Sequence, residues 1–180
     1  MLKIFLALGI LVSSTAVAAP PAAHSTENPT AAPPLEYGWD RPGMDYRSFN
    51  LGSPSPLLCQ QACNTDARCR AFTYVRPGIQ GPLARCWLKH SVPARVWRGW
   101  STSGLAPLPE VGVDRPGMDF LNFNLGLPDP NLCRAACYRN WRCRAWTFVR
   151  PGIQGPFARC WLKHSVPMAT RSFCCSSGVR

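Results

Sequence analysis

The feature that most constrains this chain is a set of four cysteines that occurs twice. The spacing C-x3-C-x5-C-x16-C is found at Cys59, Cys63, Cys69 and Cys86, and again 74 residues later at Cys133, Cys137, Cys143 and Cys160. The sequence before and after the fourth cysteine, 76–93, returns almost letter for letter at 150–167. An internal repeat of this length indicates tandem copies of one small unit.

The repeat divides the chain into two modules and three shorter segments. We predict a signal peptide at 1–18, a Pro/Ala-rich linker at 19–35, module 1 at 36–105, a spacer at 106–109 and module 2 at 110–180. Modules of about 70 residues lie near the lower size at which a hydrophobic core stabilises a domain unaided. Covalent staples are therefore expected, and the chain has 10 cysteines to supply them.

The N-terminus has the pattern of an export signal. Lys3 precedes an apolar run at 4–12, and Ala16-Val17-Ala18 gives a small-x-small cleavage site, so cleavage is expected after Ala18. No later stretch is apolar for the roughly 18 residues that a membrane helix needs. We expect a secreted or periplasmic protein with no transmembrane segment after signal cleavage.

Export decides how the cysteines are interpreted. Cysteines that leave the cytosol meet oxidants, so a spaced and duplicated set indicates disulfides. A zinc site would favour C-x2-C or Cys/His pairs, and neither C-x3-C-x5-C core contains a histidine. We therefore predict structural disulfides, with no metal and no cofactor.

Each module contains one convincing helix. Ser55 is placed to cap it with Pro56 at its first position, and Asp129 and Pro130 take the same roles in the second copy. The first two cysteines of each set then lie four residues apart on one helix face. Two thiols on one stripe of a short helix point to one partner surface, as expected for a helix stapled to a sheet.

Two strands follow the helix. The segments 71–75 and 84–92 are predicted as a strand and its return, with a weaker strand at 46–51. Because side chains alternate along a strand, a Cys86 that faces the helix brings Leu88 to the same face. The opposite face then carries Arg85, Trp87 and Lys89, and in the second copy Arg159, Trp161 and Lys163.

These six residues are our candidate ligand contacts. Two interpretations stay open at this point. The tryptophans either cover the second face of a thin sheet, or form a basic, aromatic contact stripe together with the neighbouring cations.

The motifs together resemble a known family. The Asp-Arg-Pro-Gly-x-Asp opening, the C-x3-C helix, the Cys-Arg-Ala strand and the Cys-Trp-Leu-Lys return are similar to the PAN/Apple domain in its bacterial form. The resemblance implies an α+β fold: two tandem disulfide-stapled modules, each a small antiparallel β-sheet with one α-helix packed across it. It also implies the pairs Cys59–Cys86 and Cys63–Cys69, then Cys133–Cys160 and Cys137–Cys143. On a chain-entropy basis such bridges stabilise by roughly 3.5 and 2.4 kcal/mol.

Cys174 and Cys175 fall outside both sets. The first copy has Trp100 and Ser101 at the equivalent positions. The pair is left unassigned, because a bridge between neighbours, a bond to another chain and two free thiols are all compatible with the sequence.

The sequence does not favour an enzyme. Asp40 and Asp45 flank a Pro-Gly turn beside Arg41, as Asp114 and Asp119 do in the second copy, and a turn cap with a local ion pair explains them better than acid–base catalysis. His90 and Ser91 are neighbours on a predicted strand, so their side chains point to opposite faces. We predict no catalytic residue.

The remaining class is a binding protein. The chain has 17 Arg against 3 Lys and a formal charge of +11, which favours acidic partners outside the cytosol. The resemblance implies protein–protein or protein–carbohydrate contacts. We expect a non-enzymatic binding or adhesion factor whose partner is an extracellular or periplasmic protein or an anionic polysaccharide, and not nucleic acid. The alternative is a secreted protease-associated or hydrolytic factor.

Overall fold

The computed structural model describes residues 33–180. The predicted signal peptide and most of the predicted linker lie outside the described residues, so both stay predictions. No helix between residues 33 and 180 combines the length and the apolar character needed to cross a membrane.

The first module is a five-stranded antiparallel sheet with one helix. Its elements are β1 (Glu36–Asp40), β2 (Asp45–Asn50), α1 (Pro56–Asn64), β3 (Ala71–Val75), β4 (Arg85–Lys89) and β5 (Val96–Leu105). The strands are ordered β1-β5-β3-β4-β2, so β3 is the central strand. Phe72 and Tyr74 of β3 enter the core beneath α1, and alternation turns Thr73 and Val75 to the other face.

The second module repeats this arrangement. Its elements are β6 (Glu110–Asp114), β7 (Asp119–Leu125), α2 (Pro130–Arg139), β8 (Ala145–Val149), β9 (Ala158–Lys163) and β10 (Thr170–Val179). The order β6-β10-β8-β9-β7 is the same as that of the first sheet. The predicted α+β architecture, with two tandem sheets that each carry one helix, is confirmed.

Disulfides form the centre of each core. The structure joins Cys59 to Cys86, Cys63 to Cys69, Cys133 to Cys160 and Cys137 to Cys143, the pairs that the resemblance implies. All eight residues are fully buried. In each module one bridge ties the helix to the fourth strand, and the other closes the turn that follows the helix. A sheet this small buries few large apolar side chains, so covalent links supply much of its stability.

The two helices begin at the predicted positions but are capped differently. Asp129 accepts a hydrogen bond from the backbone N–H of Asn131 at 2.9 Å. Ser55 occupies the N-cap of α1, but its side chain makes no capping hydrogen bond. The first helix is therefore held at its start by Pro56 and by packing rather than by a side-chain cap.

The first and last strands of each module were not predicted. β5 has the sequence VWRGWSTSGL, with two glycines and three hydroxyl residues that favour no strand by themselves. It forms because its second half pairs with β3 and its ends pair with β1. Tertiary pairing, rather than local propensity, therefore determines these strands.

One buried arginine joins the two modules. Arg134 of α2 is 1% exposed, and its Nη2 donates to the backbone carbonyls of Asp66 at 3.0 Å and Cys69 at 3.3 Å in the first module. Burial, together with the like charge of Arg70, lowers the pKa of Arg134 to about 10. The equivalent residue of the first module is Gln60, so this contact belongs to the interface and not to the repeated fold.

Candidate binding clefts

Each sheet carries a cleft on the face opposite its helix. Cleft 1 has a volume of about 240 Å³ and cleft 2 a volume of about 250 Å³. Nine lining positions are equivalent in the two clefts, and all nine hold identical residues. In cleft 1 these are Asp40, Pro42, Gly43, Asp45, Thr73, Val75, Gln80, Trp87 and Lys89. In cleft 2 they are Asp114, Pro116, Gly117, Asp119, Thr147, Val149, Gln154, Trp161 and Lys163.

A buried lysine forms the floor of each cleft. The side chain of Lys89 is 2% exposed, and its Nζ donates to Asp45 Oδ1 at 2.5 Å and to the Gly43 carbonyl at 3.2 Å. Lys163 repeats both bonds at the same distances with Asp119 and Gly117. An ammonium group has three N–H donors, so each lysine retains one beyond these two protein acceptors.

The loop between the first two strands covers the lysine. The Pro-Gly turn predicted at Pro42-Gly43 forms, with Gly43 at a φ of 85°. The next residue, Met44, has a φ of 58°, in the left-handed region that non-glycine residues seldom adopt. Met118 of the second copy has a φ of 59°. Both copies therefore keep a strained backbone, worth on the order of 1 kcal/mol or more, at the rim of the cleft.

A tryptophan held on two sides forms one wall. The indole Nε1 of Trp87 donates to Gln80 Oε1 at 2.9 Å, and the Arg85 guanidinium lies 5.4 Å from the centroid of its ring. Arg85 in turn donates to Ser48 Oγ at 2.7 Å and to Asn50 Oδ1 at 3.1 Å. These contacts fix the orientation of the ring before any ligand arrives, which lowers the entropic cost of binding.

The second cleft repeats the wall, with Asn122 in place of Ser48. Trp161 donates to Gln154 Oε1 at 2.9 Å, and the Arg159 guanidinium lies 5.5 Å from its ring centroid. Arg159 donates to the side-chain oxygens of Asn122 and Asn124. The wall is therefore a feature of the module and not of one copy.

The clefts differ at one place. Trp100 lines cleft 1, whereas Cys174 and Cys175 line cleft 2. The structure joins these two cysteines to each other by a disulfide, so all ten cysteines of the chain are bonded. Of the three possibilities that the sequence left open for this pair, the structure contains the bridge between neighbours.

The structure changes the interpretation of the candidate contact residues. Arg85, Trp87, Arg159 and Trp161 are partly exposed on the predicted face. Lys89 and Lys163 lie on this face as well, but both are 2% exposed, so they are buried and not exposed beside the tryptophans. The loop after the first strand folds over them and supplies their ion-pair partners. The exposed stripe is in fact a cleft with a buried cation at its floor.

The opening motif was predicted to contain a local ion pair between Arg41 and a neighbouring aspartate, and these partners are wrong. Asp45 pairs with Lys89, and Arg41 instead pairs with Glu36 at 2.6 Å. Ser103 donates to Glu36 at 2.6 Å as well. Burial alone would raise the pKa of Glu36, but the hydrogen bonds from Arg41 and Ser103 outweigh it and lower that pKa below its ordinary value. This cluster ties β1 to β5 and has a structural role.

Sequence reasoning missed the contact between Asp45 and Lys89. The two residues are 44 positions apart, and nothing in the local pattern connects them. The available signal was the repeat itself, because an aspartate and a lysine recur at the same offset in the second copy. Because the chain has few lysines, a lysine and an aspartate that occur at equivalent positions in both copies are candidates for an ion pair.

Comparisons with known proteins bear on the family of this chain. A solution structure ensemble of the two N-terminal apple domains of Toxoplasma gondii microneme protein 4 is similar, with 18% sequence identity and a TM-score of 0.32 over 83% of this chain and 95% of that chain. A search of curated protein sequences finds no match. The family model described as PAN domain matches residues 39–89 and again residues 113–163, which together exceed half of the sequence. The chain belongs to the PAN domain family, as two tandem copies.

Proposed function

We propose that this chain is an extracytoplasmic, non-enzymatic binding protein that holds an anionic polysaccharide, with one sugar unit in each cleft. PAN domains are typically protein- or carbohydrate-binding modules. The observation that carries the proposal is the repetition of one cleft, with the same aspartate, lysine, glutamine and tryptophan in the same contacts.

The chemistry of the cleft suits a sugar ring. Small-ligand sites combine an apolar or aromatic surface with a few fixed polar groups. Here a pre-oriented indole offers a flat surface to C–H groups, while the Asp40 carboxylate and the side-chain N–H groups of Gln80 offer hydrogen bonds to hydroxyl groups. A volume of about 240 Å³ is of the size of one ring rather than of a peptide loop.

The charge of the chain favours an acidic polymer. Of the chain's 20 basic residues, 17 are arginines, whose planar guanidinium groups bind carboxylate and sulfate in a bidentate manner. Two clefts on one chain also raise the effective concentration for a second sugar of the same polymer. Weak single sites therefore combine into useful avidity.

The proposal is tested by binding of the mature chain to a panel of anionic polysaccharides, with dextran as the neutral control. We expect Trp87→Ala or Trp161→Ala to weaken binding by about 10-fold to 30-fold, and the double variant to abolish it. Trp141→Ala is the matched control, because Trp141 is 77% exposed and lines neither cleft.

Four outcomes contradict the proposal. Binding that survives in the double variant, or that Trp141→Ala weakens equally, removes the clefts as the site. New reducing ends released from any bound polysaccharide support instead the hydrolytic alternative. Binding to an acidic protein that persists after its glycans are removed supports a protein partner.

A further inference from the structure

The disulfide between Cys174 and Cys175 is a part of the second cleft for which the proposed function does not account. The two clefts share nine identical lining residues and differ where Trp100 is replaced by this bridge. The first module folds without the bridge, so the sheet does not require it. A feature that the fold does not need, and that lines a cleft, is a candidate determinant of what the cleft binds.

The backbone holds the bridge in the same place as the residue it replaces. Cys175 pairs with Val149 across the sheet, as Ser101 pairs with Val75 in the first module. The carbonyl of Cys174 accepts from the backbone N–H of Arg150 at 3.0 Å. The carbonyl of Trp100 accepts the equivalent bond from Arg76. The exchange therefore alters the cleft wall and leaves its backbone frame unchanged.

The walls at this position are formed by Trp100 in cleft 1 and by the Cys174–Cys175 disulfide in cleft 2, and their chemistry differs. An indole is a large flat ring with an N–H donor. A disulfide is small and polarizable, it has no donor, and its sulfurs are weak acceptors. The Ser172 hydroxyl already lies 3.0 Å from Cys174 Sγ and 3.9 Å from Cys175 Sγ. A sugar hydroxyl placed against the bridge would therefore exchange its hydrogen bonds to water for a weak contact with sulfur, whereas a methyl group has no such bonds to lose. The wall of cleft 2 therefore favours a ligand whose group at this point is apolar.

The opposite side of cleft 2 remains polar. Lys163 and Asp119 form the floor, and Gln154 holds the indole of Trp161. A ligand that fits both sides carries hydroxyl or amide groups on one side and a methyl group on the other. An N-acetylated sugar has this arrangement.

We propose that the Cys174–Cys175 disulfide determines the specificity of cleft 2, which binds N-acetylated sugar units, while cleft 1 has no such preference. This inference rests on the proposed function, because it assigns a ligand class to one of the two proposed sugar sites. It makes the two modules unequal, so that the chain recognises a polymer with at least two kinds of sugar unit.

The test follows the indole N–H signals of Trp87 and Trp161 by NMR in the full mature chain with its disulfides intact. Each signal reports on one cleft, and Trp87→Phe and Trp161→Phe variants assign them. The probes are the methyl glycosides of N-acetylglucosamine and of glucose, which differ in one substituent. We expect the N-acetylated glycoside to bind cleft 2 at least about 5-fold more tightly than glucose, and the two to bind cleft 1 equally.

A reciprocal exchange of the walls provides the control. Cys174→Trp with Cys175→Ser gives cleft 2 the wall of cleft 1, and should remove the preference from the Trp161 signal. Trp100→Cys with Ser101→Cys should transfer it to the Trp87 signal. The unmodified cleft in each variant shows that the chain is folded.

The outcomes separate this inference from the proposed function. A preference that is equal in both clefts, or that stays with cleft 2 after the exchange, overturns the inference while sugar binding stands. Glycosides that move neither indole signal in the unmodified chain overturn the inference, and the panel of anionic polysaccharides then decides the proposed function separately. A preference that moves with the bridge supports the inference.

Discussion

The ion pair of the buried Lys89 allows a prediction of how much stability the chain loses when either partner is removed. The prediction depends on the different exposure of the two side chains. Lys89 and Asp45 form one ion pair, but the structure treats the two charges differently: the lysine side chain is 2% exposed and the aspartate side chain 30%. Removing either partner leaves the other charge behind. The two substitutions Asp45→Asn and Lys89→Met should therefore destabilise the chain by different amounts.

The larger cost is expected for Asp45→Asn. It leaves a buried ammonium with neutral acceptors only, and breaking a buried pair in this way costs about 3–5 kcal/mol. Asparagine still offers an oxygen, so we expect about 3 kcal/mol. Lys89→Met keeps the volume of the stem and leaves a carboxylate that water reaches. Its cost is mainly the unpaired carbonyl of Gly43, on the order of 1 kcal/mol.

The assay is urea unfolding of the mature chain with its disulfides intact. With an m-value of about 2 kcal/mol/M, Asp45→Asn should lower the midpoint of the first module by about 1.5 M and Lys89→Met by about 0.5 M. Asp119→Asn and Lys163→Met repeat the comparison in the second module. Equal costs, or a larger cost for the lysine variants, would refute the argument that the buried cation is the costly charge to leave unpaired.

Three further predictions concern the frame around the clefts. Gly104→Ala places a methyl group 2.7 Å from Cζ of the buried Phe72 ring, so it should destabilise by about 1–3 kcal/mol in thermal unfolding, whereas Gly52→Ala, which meets nothing within 4 Å, should be neutral or slightly stabilising. Because the pKa of Glu36 is lowered in the folded chain, its contribution is present above the ordinary value of 4.5 and is lost as the pH falls through the folded value; Glu36→Gln should flatten acid unfolding in that range, and an unchanged pH profile would contradict this. Arg134→Gln should remove the bonds between the modules and broaden their relative orientation in small-angle scattering and NMR relaxation, and unchanged tumbling would show that other contacts hold them.

Much of the fold could be predicted from cysteine spacing and alternation. The spacing placed two thiols on one helix face, and alternation placed Cys86 and Leu88 inward with Trp87 outward. Both inferences depend only on local geometry, which a sequence states directly. The first and last strands of each module could not be obtained in this way, because sequences such as VWRGWSTSGL become strands only through pairing with a neighbour.

The candidate site was only partly accessible to the same reasoning. Alternation gives the face on which Lys89 lies but not whether another segment covers that face. The cover comes from a loop that reaches the lysine through the Gly43 carbonyl and Asp45, 46 and 44 positions away. The left-handed Met44 that shapes this loop leaves no mark in the residue type. Because this cover comes from distant residues, the sequence did not indicate that Lys89 is buried.

The duplication separates residues that the fold requires from residues that it does not. Two copies of one fold face the same demands of packing, so residues that differ between them are not required by that fold. Gln60 and Arg134 make different contacts, because Gln60 donates to the carbonyl of Pro33, whereas Arg134 donates to carbonyls of the other module. Trp100 against Cys174 differs inside a cleft whose other lining residues are unchanged. The first difference contributes to the contact between the two modules, and the second alters the lining of one cleft, so divergence at these two positions changes the interface and the cleft without changing the fold.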